Sequence, residues 1–291
     1  MKDYLVKAYG FGGTVRIYAA TTKHLVERAR EIHDLWPTSA AALGRLLTVS
    51  VVMGAMYGKD DSLTVRLQAD GPLEGMVATT DAHGHVRGYV GNPHVFLQYN
   101  DGKLNVGQAV GNGHIHVTKN LRVRPIFTST STIQTGEIGE DFAYYFTQSE
   151  QIPSAVALGV KVNPDNSVLN AGGYIVQIMP GCPDDVIETI EQRLKNLPPV
   201  TAMLEDGKSP EGIIEALTNN DQEWLQTMPL EYACDCSKAT FERGLIALGE
   251  KELRTLLKED GMIETVCHFC LTKYRFDTKA IDALIEQTKK G

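Results

Sequence analysis

The 291-residue sequence lacks several features that would place it in a common protein class. It contains no phosphate-binding glycine loop, no Gly-x-Ser-x-Gly elbow, no His-Glu-x-x-His pair and no dinucleotide-binding fingerprint. Its first residues show no basic stretch followed by an apolar one, so we predict no secretory signal. From these absences we expect a cytoplasmic protein that is not an enzyme.

The sequence also lacks a concentration of basic residues. Residues 1–180 carry 15 Lys/Arg and 15 Asp/Glu, and the net charge of −8 comes from the remainder. Residues 181–229 are the most acidic part, with three Lys/Arg against ten Asp/Glu. Because nucleic-acid binding requires basic side chains that displace counterions from phosphates, we expect no nucleic-acid partner.

One apolar run, residues 40–57, approaches the length of a membrane span. It contains Arg45 together with several small polar residues and glycines, and its 18 residues are near the lower limit for crossing a bilayer. The run therefore predicts a buried core helix, and we expect no membrane association.

Hydrophobic patterning predicts an α+β fold for residues 1–179, with a mixed sheet domain packed around this central apolar helix. Glycine and proline turns separate the short predicted strands. These strands are Asp3–Tyr9, Thr14–Ala20, Leu63–Ala69, Met76–Thr80, Val86–Val90, His114–Lys119, Thr128–Gln134, Val156–Val162 and Tyr174–Met179. A smaller domain is expected at the C-terminus.

Residues 180–229 predict a helical linker that is too thin to form a core of its own. Pro183 suits a first helical position, and an apolar stripe follows it at helical spacing. The stripe consists of Val186, Ile187, Ile190, Leu194 and Leu197. We expect it to pack on the core, and it is also a candidate binding surface when released.

Residues 230–291 contain four of the five cysteines, Cys234, Cys236, Cys267 and Cys270. The pattern is Cys-x-Cys, then thirty residues, then Cys-x-x-Cys. Two close pairs of thiolates suit a tetrahedral zinc site, and four protein ligands leave no open position for catalysis. The spacing therefore predicts one zinc per chain, which would stabilise a domain too small to bury much surface.

The spacing alone leaves the role of this site open. The zinc could be purely structural, in a ribbon that binds nucleic acid or a protein, or Cys267 and Cys270 could serve a thiol oxidoreductase. The third interpretation is a redox switch, because zinc-bound thiolates react with oxidants and each pair is close enough for a disulfide. An extended Cys-x-Cys spans about 6.6 Å between Cα atoms, near the upper limit for a disulfide. We therefore expect Cys267–Cys270 to oxidise before Cys234–Cys236.

Several motifs together resemble the heat-shock protein 33 family of redox-regulated holdase chaperones. They are Trp36-Pro37-Thr38-Ser39, Ala42-Leu43-Gly44-Arg45, Asp70-Gly71-Pro72-Leu73, Val86-Arg87-Gly88-Tyr89-Val90, Gly172-Gly173-Tyr174, Met179-Pro180-Gly181, Cys234-Asp235-Cys236-Ser237, Val266-Cys267-His268-Phe269-Cys270 and Tyr274-Arg275-Phe276. The resemblance covers essentially the whole chain, and the cysteine pattern is its most specific part. Cys182 lies outside this cysteine pattern and is expected to be an unpaired thiol.

The resemblance implies a function and a mechanism. The reduced, zinc-bound form would be inactive. Oxidative stress would release zinc, form the disulfides Cys234–Cys236 and Cys267–Cys270, unfold the linker and expose an apolar surface that binds unfolding proteins without ATP. The implied partners are unfolded or oxidatively damaged client proteins, with a homodimer as a further expectation for the oxidised form.

Overall fold

The computed structural model describes residues 2–121 and 125–288 and divides the chain into two compact units. The first unit extends to Ala233 and the second begins at Cys234. The elements of the first unit are β1 (Tyr4–Gly10), β2 (Val15–Thr21), α1 (Lys23–His33), α2 (Pro37–Gly54), β3 (Ser62–Ala69), β4 (Met76–Asp81), β5 (His85–Val90), α3 (Val106–Val110), β6 (Gly113–Asn120), β7 (Phe127–Thr132), α4 (Gly139–Tyr145), β8 (Ser154–Val162), β9 (Val168–Ile178), α5 (Asp184–Asn196), α6 (Val200–Glu205), α7 (Pro210–Thr218), β10 (Gln222–Pro229) and β11 (Glu231–Tyr232). Those of the second are α8 (Lys238–Leu248), α9 (Glu250–Asp260), β12 (Met262–Val266), β13 (Lys273–Asp277) and α10 (Thr278–Thr288).

Two sheets form the first unit. A five-stranded antiparallel sheet has the order β10-β1-β2-β9-β8, and a six-stranded sheet has the order β11-β5-β4-β3-β6-β7. The α+β prediction is confirmed, and every strand predicted in residues 1–179 is present, with shifts of at most two residues at the ends of all but the last. The largest shift is in β9, which begins at Val168 rather than Tyr174.

Helix α2 lies at the centre of the first unit, as its apolar sequence predicted. It contacts strands of both sheets, and nearly all of its side chains are buried in the main hydrophobic core. Gly44 is required at a close approach, because a Cβ at this position would lie 2.7 Å from Val26 Cγ1 and 2.9 Å from Val160 Cγ2. Along the described chain, no helix has both the length and the apolar character needed to cross a bilayer.

The central strands of the five-stranded sheet are buried on both faces. Alternate side chains of β1, β2 and β9 point towards α2 on one face and towards α5, α6 and α7 on the other. This second face and the three helices form a separate apolar cluster, which includes Val6, Ile17 and Val176 from the sheet and Ile190 and Leu217 from the helices. The expectation that the linker helices pack on the core is thus met within the first unit.

The helical linker expected over residues 180–229 is not helical over its last eight residues. Gln222–Pro229 is strand β10, which pairs antiparallel with β1 from Tyr4↔Pro229 to Gly10↔Gln222. The physical reason is that β1 would otherwise leave an unpaired backbone edge, and β10 satisfies it. The chain then continues into β11, which pairs with β5 of the other sheet and ends one residue before Ala233, the last residue of the first unit.

The second unit is a hairpin, β12–β13, with three helices around it. Its core is small, and in the described part of this unit seven buried apolar residues form it: Leu245, Leu253, Ile263, Phe276, Ile281, Leu284 and Ile285. Ser237 caps α8 by accepting a hydrogen bond from Thr240 N–H, and Gly261 ends α9 in the left-handed region.

Candidate metal centre

The turn between β12 and β13 carries Cys267 and Cys270. Cys267 N–H donates to Thr272 C=O at 2.9 Å, and Leu271 N–H donates to Cys267 C=O at 2.8 Å. Leu271 has φ of +57°, which closes this tight turn. The short loop therefore holds the sulfurs of both residues at the end of the hairpin.

The second pair of cysteines lies on the segment that leads into α8. Tyr274 of β13 fixes this segment, because its hydroxyl donates to the backbone carbonyl of Cys236 at 3.0 Å and lies 3.2 Å from the Cys236 sulfur. The Tyr274 ring lies against Phe241 of α8, with a distance of 4.9 Å between ring centroids. The hairpin and the cysteine segment are thus joined by one aromatic side chain.

The structure brings the four predicted ligand residues together. Their sulfurs all lie within 4.8 Å of one another, with Cys234 Sγ 3.7 Å from Cys267 Sγ and Cys236 Sγ 3.3 Å from Cys270 Sγ. Four sulfurs bound at about 2.3 Å to a tetrahedral ion would be about 3.8 Å apart. The four side chains therefore fit a single metal ion, and a closed tetrahedral set of four thiols is a kind of site that zinc occupies.

Cys182 is not part of this cluster. It belongs to the first unit, where it is half-buried at the edge of the apolar cluster under α5, and its thiol faces the carbonyl of Pro183. His268, between the two cysteines of the turn, is exposed. Among the predicted ligands, Cys267 is the most buried, at 5% exposure.

The thiols of the cluster differ in acidity. Burial raises the pKa of Cys234, and it raises the pKa of Cys236 to about 12. At Cys270 burial acts in the same direction, but hydrogen bonds from Thr272 and from neighbouring thiols outweigh it and lower the pKa to about 6. The lowered pKa favours ionisation of Cys270 in the metal-free cluster, and thiolate is the form that binds metal and reacts with oxidants.

Sequence reasoning missed two side chains at this site. Thr272 Oγ1 lies 3.2 Å from Cys270 Sγ, and the Tyr274 hydroxyl contacts Cys236. The contact raises the pKa of Tyr274 to about 12, with the hydrogen bond to Cys236 as its largest cause. Both residues follow Cys270 closely in the sequence, but nothing in their spacing distinguishes them from ordinary hairpin residues.

Comparison with known proteins identifies the family and the fold. The family model described as Hsp33 protein matches residues 3–277. The 33 kDa chaperonin of Bacillus subtilis is 47% identical over 290 residues, which cover 99% of this chain and all of the relative. This chain belongs to the Hsp33 family. The 33 kDa chaperonin of Halalkalibacterium halodurans is also 47% identical, with the same coverage.

The Hsp33 fold extends over the whole chain. The crystal structure of the 33 kDa chaperonin (heat shock protein 33 homolog) of Thermotoga maritima superposes with a TM-score of 0.92 at 32% identity, and each chain is fully covered. The relatives are chaperones by name, and the resemblance expected from the sequence motifs is confirmed. In this Hsp33 member, four cysteines lie close enough together to hold a metal ion.

Proposed function

We propose that this protein is a redox-regulated, ATP-independent holdase chaperone that is inactive when reduced and zinc-bound. The observation that carries the proposal is the set of four sulfurs within 4.8 Å of one another in a unit with a small core. When bound, zinc would hold all four cysteines as thiolates and link the segment of Cys234 and Cys236 to the hairpin. Such a unit would depend on the metal for folding.

Oxidation would then unfold the second unit. Formation of each disulfide takes two electrons from a pair of thiolates. One molecule of hydrogen peroxide accepts these two electrons together with two protons and is reduced to two molecules of water. Two peroxides would oxidise all four cysteines and release the metal ion. The disulfides we propose are Cys234–Cys236 and Cys267–Cys270, because partners close in sequence remain close once the unit unfolds.

The linker connects this event to client binding. Cys234 follows β11 after a single residue, and β10 and β11 are paired to the two sheets of the first unit. Helices α5, α6 and α7 cover an apolar sheet face that includes Val15, Ile17, Ala19 and Val176. Loss of the second unit would loosen a linker with net charge −7, and the uncovered face would bind unfolding proteins together with the apolar stripe of Val186, Ile187, Ile190, Leu194 and Leu197.

The proposal assigns roles to three parts of the chain. Residues 1–179 form the chaperone core, residues 180–229 the releasable linker, and residues 230–291 the zinc-binding redox switch. The partners are unfolded or oxidatively damaged proteins, the oxidised form associates as a homodimer, and the protein acts in the cytoplasm during oxidative stress. The acidity of the linker region argues against a nucleic-acid partner.

One experiment tests the coupling. Zinc-loaded protein is treated with hydrogen peroxide under mild heating, while a colorimetric chelator reports released zinc and light scattering reports aggregation of a thermally unfolding client. We expect zinc release and suppression of aggregation to rise together. Complete zinc release without suppression would mean that the metal is only structural and that the proposed switch is wrong.

A further inference from the structure

The outer backbone edge of β8 is not paired with another strand among the described residues. The five-stranded sheet ends at β8. A Cβ on Gly139 would lie 3.2 Å from the carbonyl oxygen of Val156, so the backbone of Val156 points towards the start of α4 and away from β9. Because alternate residues of an antiparallel strand face the same side, Leu158 and Val160 also direct their N–H and C=O groups outwards. The same Cβ would lie 4.0 Å from Leu158 N, so α4 begins beside the edge at both Val156 and Leu158.

A groove runs along β8 from Leu158 to Val162, between the strand and its neighbours. A cavity of about 750 Å³ is lined by residues of β8 together with Leu104 on one side and Pro199 and Val200 on the other. A neighbouring cavity of about 300 Å³ shares Leu104 and Val162 and extends the groove to Phe96. The wall that carries these residues is apolar and partly aromatic.

Two large aromatic side chains that line the groove are exposed. Phe96 is 52% exposed and Tyr99 is 45% exposed, and both belong to the loop between β5 and α3. Contiguous exposed apolar surface on a soluble protein is typical of a binding site. The aromatic loop and the strand edge thus combine apolar contacts with unused backbone hydrogen-bonding groups.

The charges in the groove argue against a small anionic ligand. Arg45 is paired with Glu137, Lys161 Nζ lies 2.6 Å from Glu205, and Lys103 is paired with Asp101. Each cation that lines the groove is therefore balanced by a carboxylate and does not attract an anion. An uncharged, extended chain fits this balance.

We propose that this groove binds an extended apolar segment of an unfolding protein by adding it as a further strand beside β8. Strand addition of this kind uses backbone hydrogen bonds for affinity and pockets for alternate side chains. The stretch from Leu158 to Val162 spans about 13 Å, so the bound segment has about five or six residues. The inference rests on the proposed function, which supplies such segments.

The linker restricts this groove in the reduced protein. A Cβ on Gly159 would lie 2.7 Å from Thr201 Cγ2, so the start of α6 lies directly against β8. The ion pair between Lys161 and Glu205 and the hydrogen bond from Asn170 Nδ2 to Thr201 C=O hold α6 there. Release of the linker removes one wall, and the oxidised protein binds the segment more tightly than the reduced protein.

The first test uses the full-length protein and a fluorescent twelve-residue peptide of alternating Val and Thr with Lys at both ends. We expect tighter binding to the oxidised form by anisotropy, and slower amide hydrogen exchange at Leu158 and Val160 when the peptide is bound. A matched peptide that is N-methylated at alternate residues should bind at least tenfold more weakly. Equal binding of the two peptides, or unchanged exchange at both amides, overturns strand addition.

The second test replaces an aromatic side chain of the groove. Phe96→Ala should weaken peptide binding roughly tenfold, as expected for an aromatic anchor. Phe127→Ala is the matched control, because Phe127 is 61% exposed and does not line the groove. Equal affinity in both variants overturns the proposed site. The site is also overturned if Phe96→Ala abolishes self-association but leaves peptide binding unchanged, because the occupant is then a second copy.

The outcome for the groove is separable from the outcome for the switch. If exchange at Leu158 and Val160 is unaffected by peptide while oxidised protein still suppresses client aggregation, the groove proposal fails and the chaperone proposal stands. If the peptide protects both amides but clients aggregate equally in either redox state, the groove proposal stands and the switch fails.

Discussion

The hydroxyl of Tyr274 lies 3.2 Å from Cys236 Sγ and donates to the backbone carbonyl of the same residue at 3.0 Å. One side chain therefore positions a predicted metal ligand and contacts its sulfur. Side chains that hydrogen-bond to metal ligands contribute strongly to metal affinity and to the reactivity of those ligands. This contact leads to the first prediction.

Replacing Tyr274 by phenylalanine should weaken zinc binding roughly tenfold, the lower end of the effect expected for a residue behind a metal ligand. The ring and its packing on Phe241 are kept, and only the hydroxyl is lost. Zinc affinity is measured by competition with a chelator of known affinity, and zinc release under peroxide should be faster. Tyr144→Phe, an exposed tyrosine of the first unit, is the control. Equal affinity of both variants would show that the hydroxyl has no role at the site.

The second prediction concerns metal content. The reduced protein should contain one zinc per chain, and Cys→Ser at any of the four clustered cysteines should lower this content, because removal of one thiolate opens the tetrahedral site. Cys182→Ser should retain all of the zinc, since Cys182 lies in the first unit. Metal analysis of the purified variants measures the zinc content and tests this prediction. Full zinc content in Cys267→Ser would contradict the ligand assignment.

The order of oxidation is the third prediction. Cys267–Cys270 should form before Cys234–Cys236, because the turn reaches disulfide geometry with less strain. Thiol trapping and peptide mapping during a slow peroxide titration follow both pairs. In the reduced fold the Cys236 and Cys270 sulfurs are only 3.3 Å apart. An early Cys236–Cys270 disulfide would therefore show that the folded geometry, rather than sequence proximity, determines the pairing.

The fourth prediction concerns the central helix. Gly44→Ala should lower the free energy of unfolding by about 1–3 kcal/mol, because the new Cβ would overlap the side chains of Val26 and Val160. Gly244→Ala in α8 is the control, because a Cβ there meets nothing within 4 Å. It should be neutral, or stabilising by up to about 1 kcal/mol. Urea unfolding of both variants measures the difference, and equal stability would mean that the core adapts without cost.

Much of the fold could be predicted from the sequence, because alternation in the strands and the apolar character of α2 reflect direct burial. Strand β10 was missed because it lies at a sheet edge where most of its side chains, including Trp224 and Leu225, are exposed, so no alternation marks it. Helix α4 was missed because an unusual start precedes it. Ile138 has φ of +70°, and the buried Asp141 carboxylate accepts hydrogen bonds from four backbone amides of residues 134–138.

The four cysteines of the candidate metal site could be predicted from the sequence, but the side chains that contact them could not. The four cysteines could be predicted as ligands of one site from the sequence alone, because two closely spaced cysteine pairs are typical of a four-thiolate metal site. The contacts of Thr272 and Tyr274 depend on the register of the hairpin, Val266↔Lys273 to Met262↔Asp277, which the sequence does not specify. The sequence also does not specify that the central strands of the five-stranded sheet are buried on both faces, because this depends on how α5, α6 and α7 pack on the sheet.

The last prediction links the docking of the linker to chaperone activity. Ile190 is buried among the residues under α5, and Ile190→Ala should reduce the docking free energy of the linker by about 2–4 kcal/mol. The reduced variant should then suppress client aggregation without oxidant, because its linker opens more often. Gln192→Ala is the matched control on the same helix, since Gln192 is exposed and lies outside the apolar stripe. Hydrogen exchange should show lost protection in α5, α6 and α7 of Ile190→Ala, while α2 remains protected. If exchange in the linker rises but the reduced protein stays inactive, release of the linker alone does not create the client-binding surface, and unfolding of the second unit must contribute to it directly.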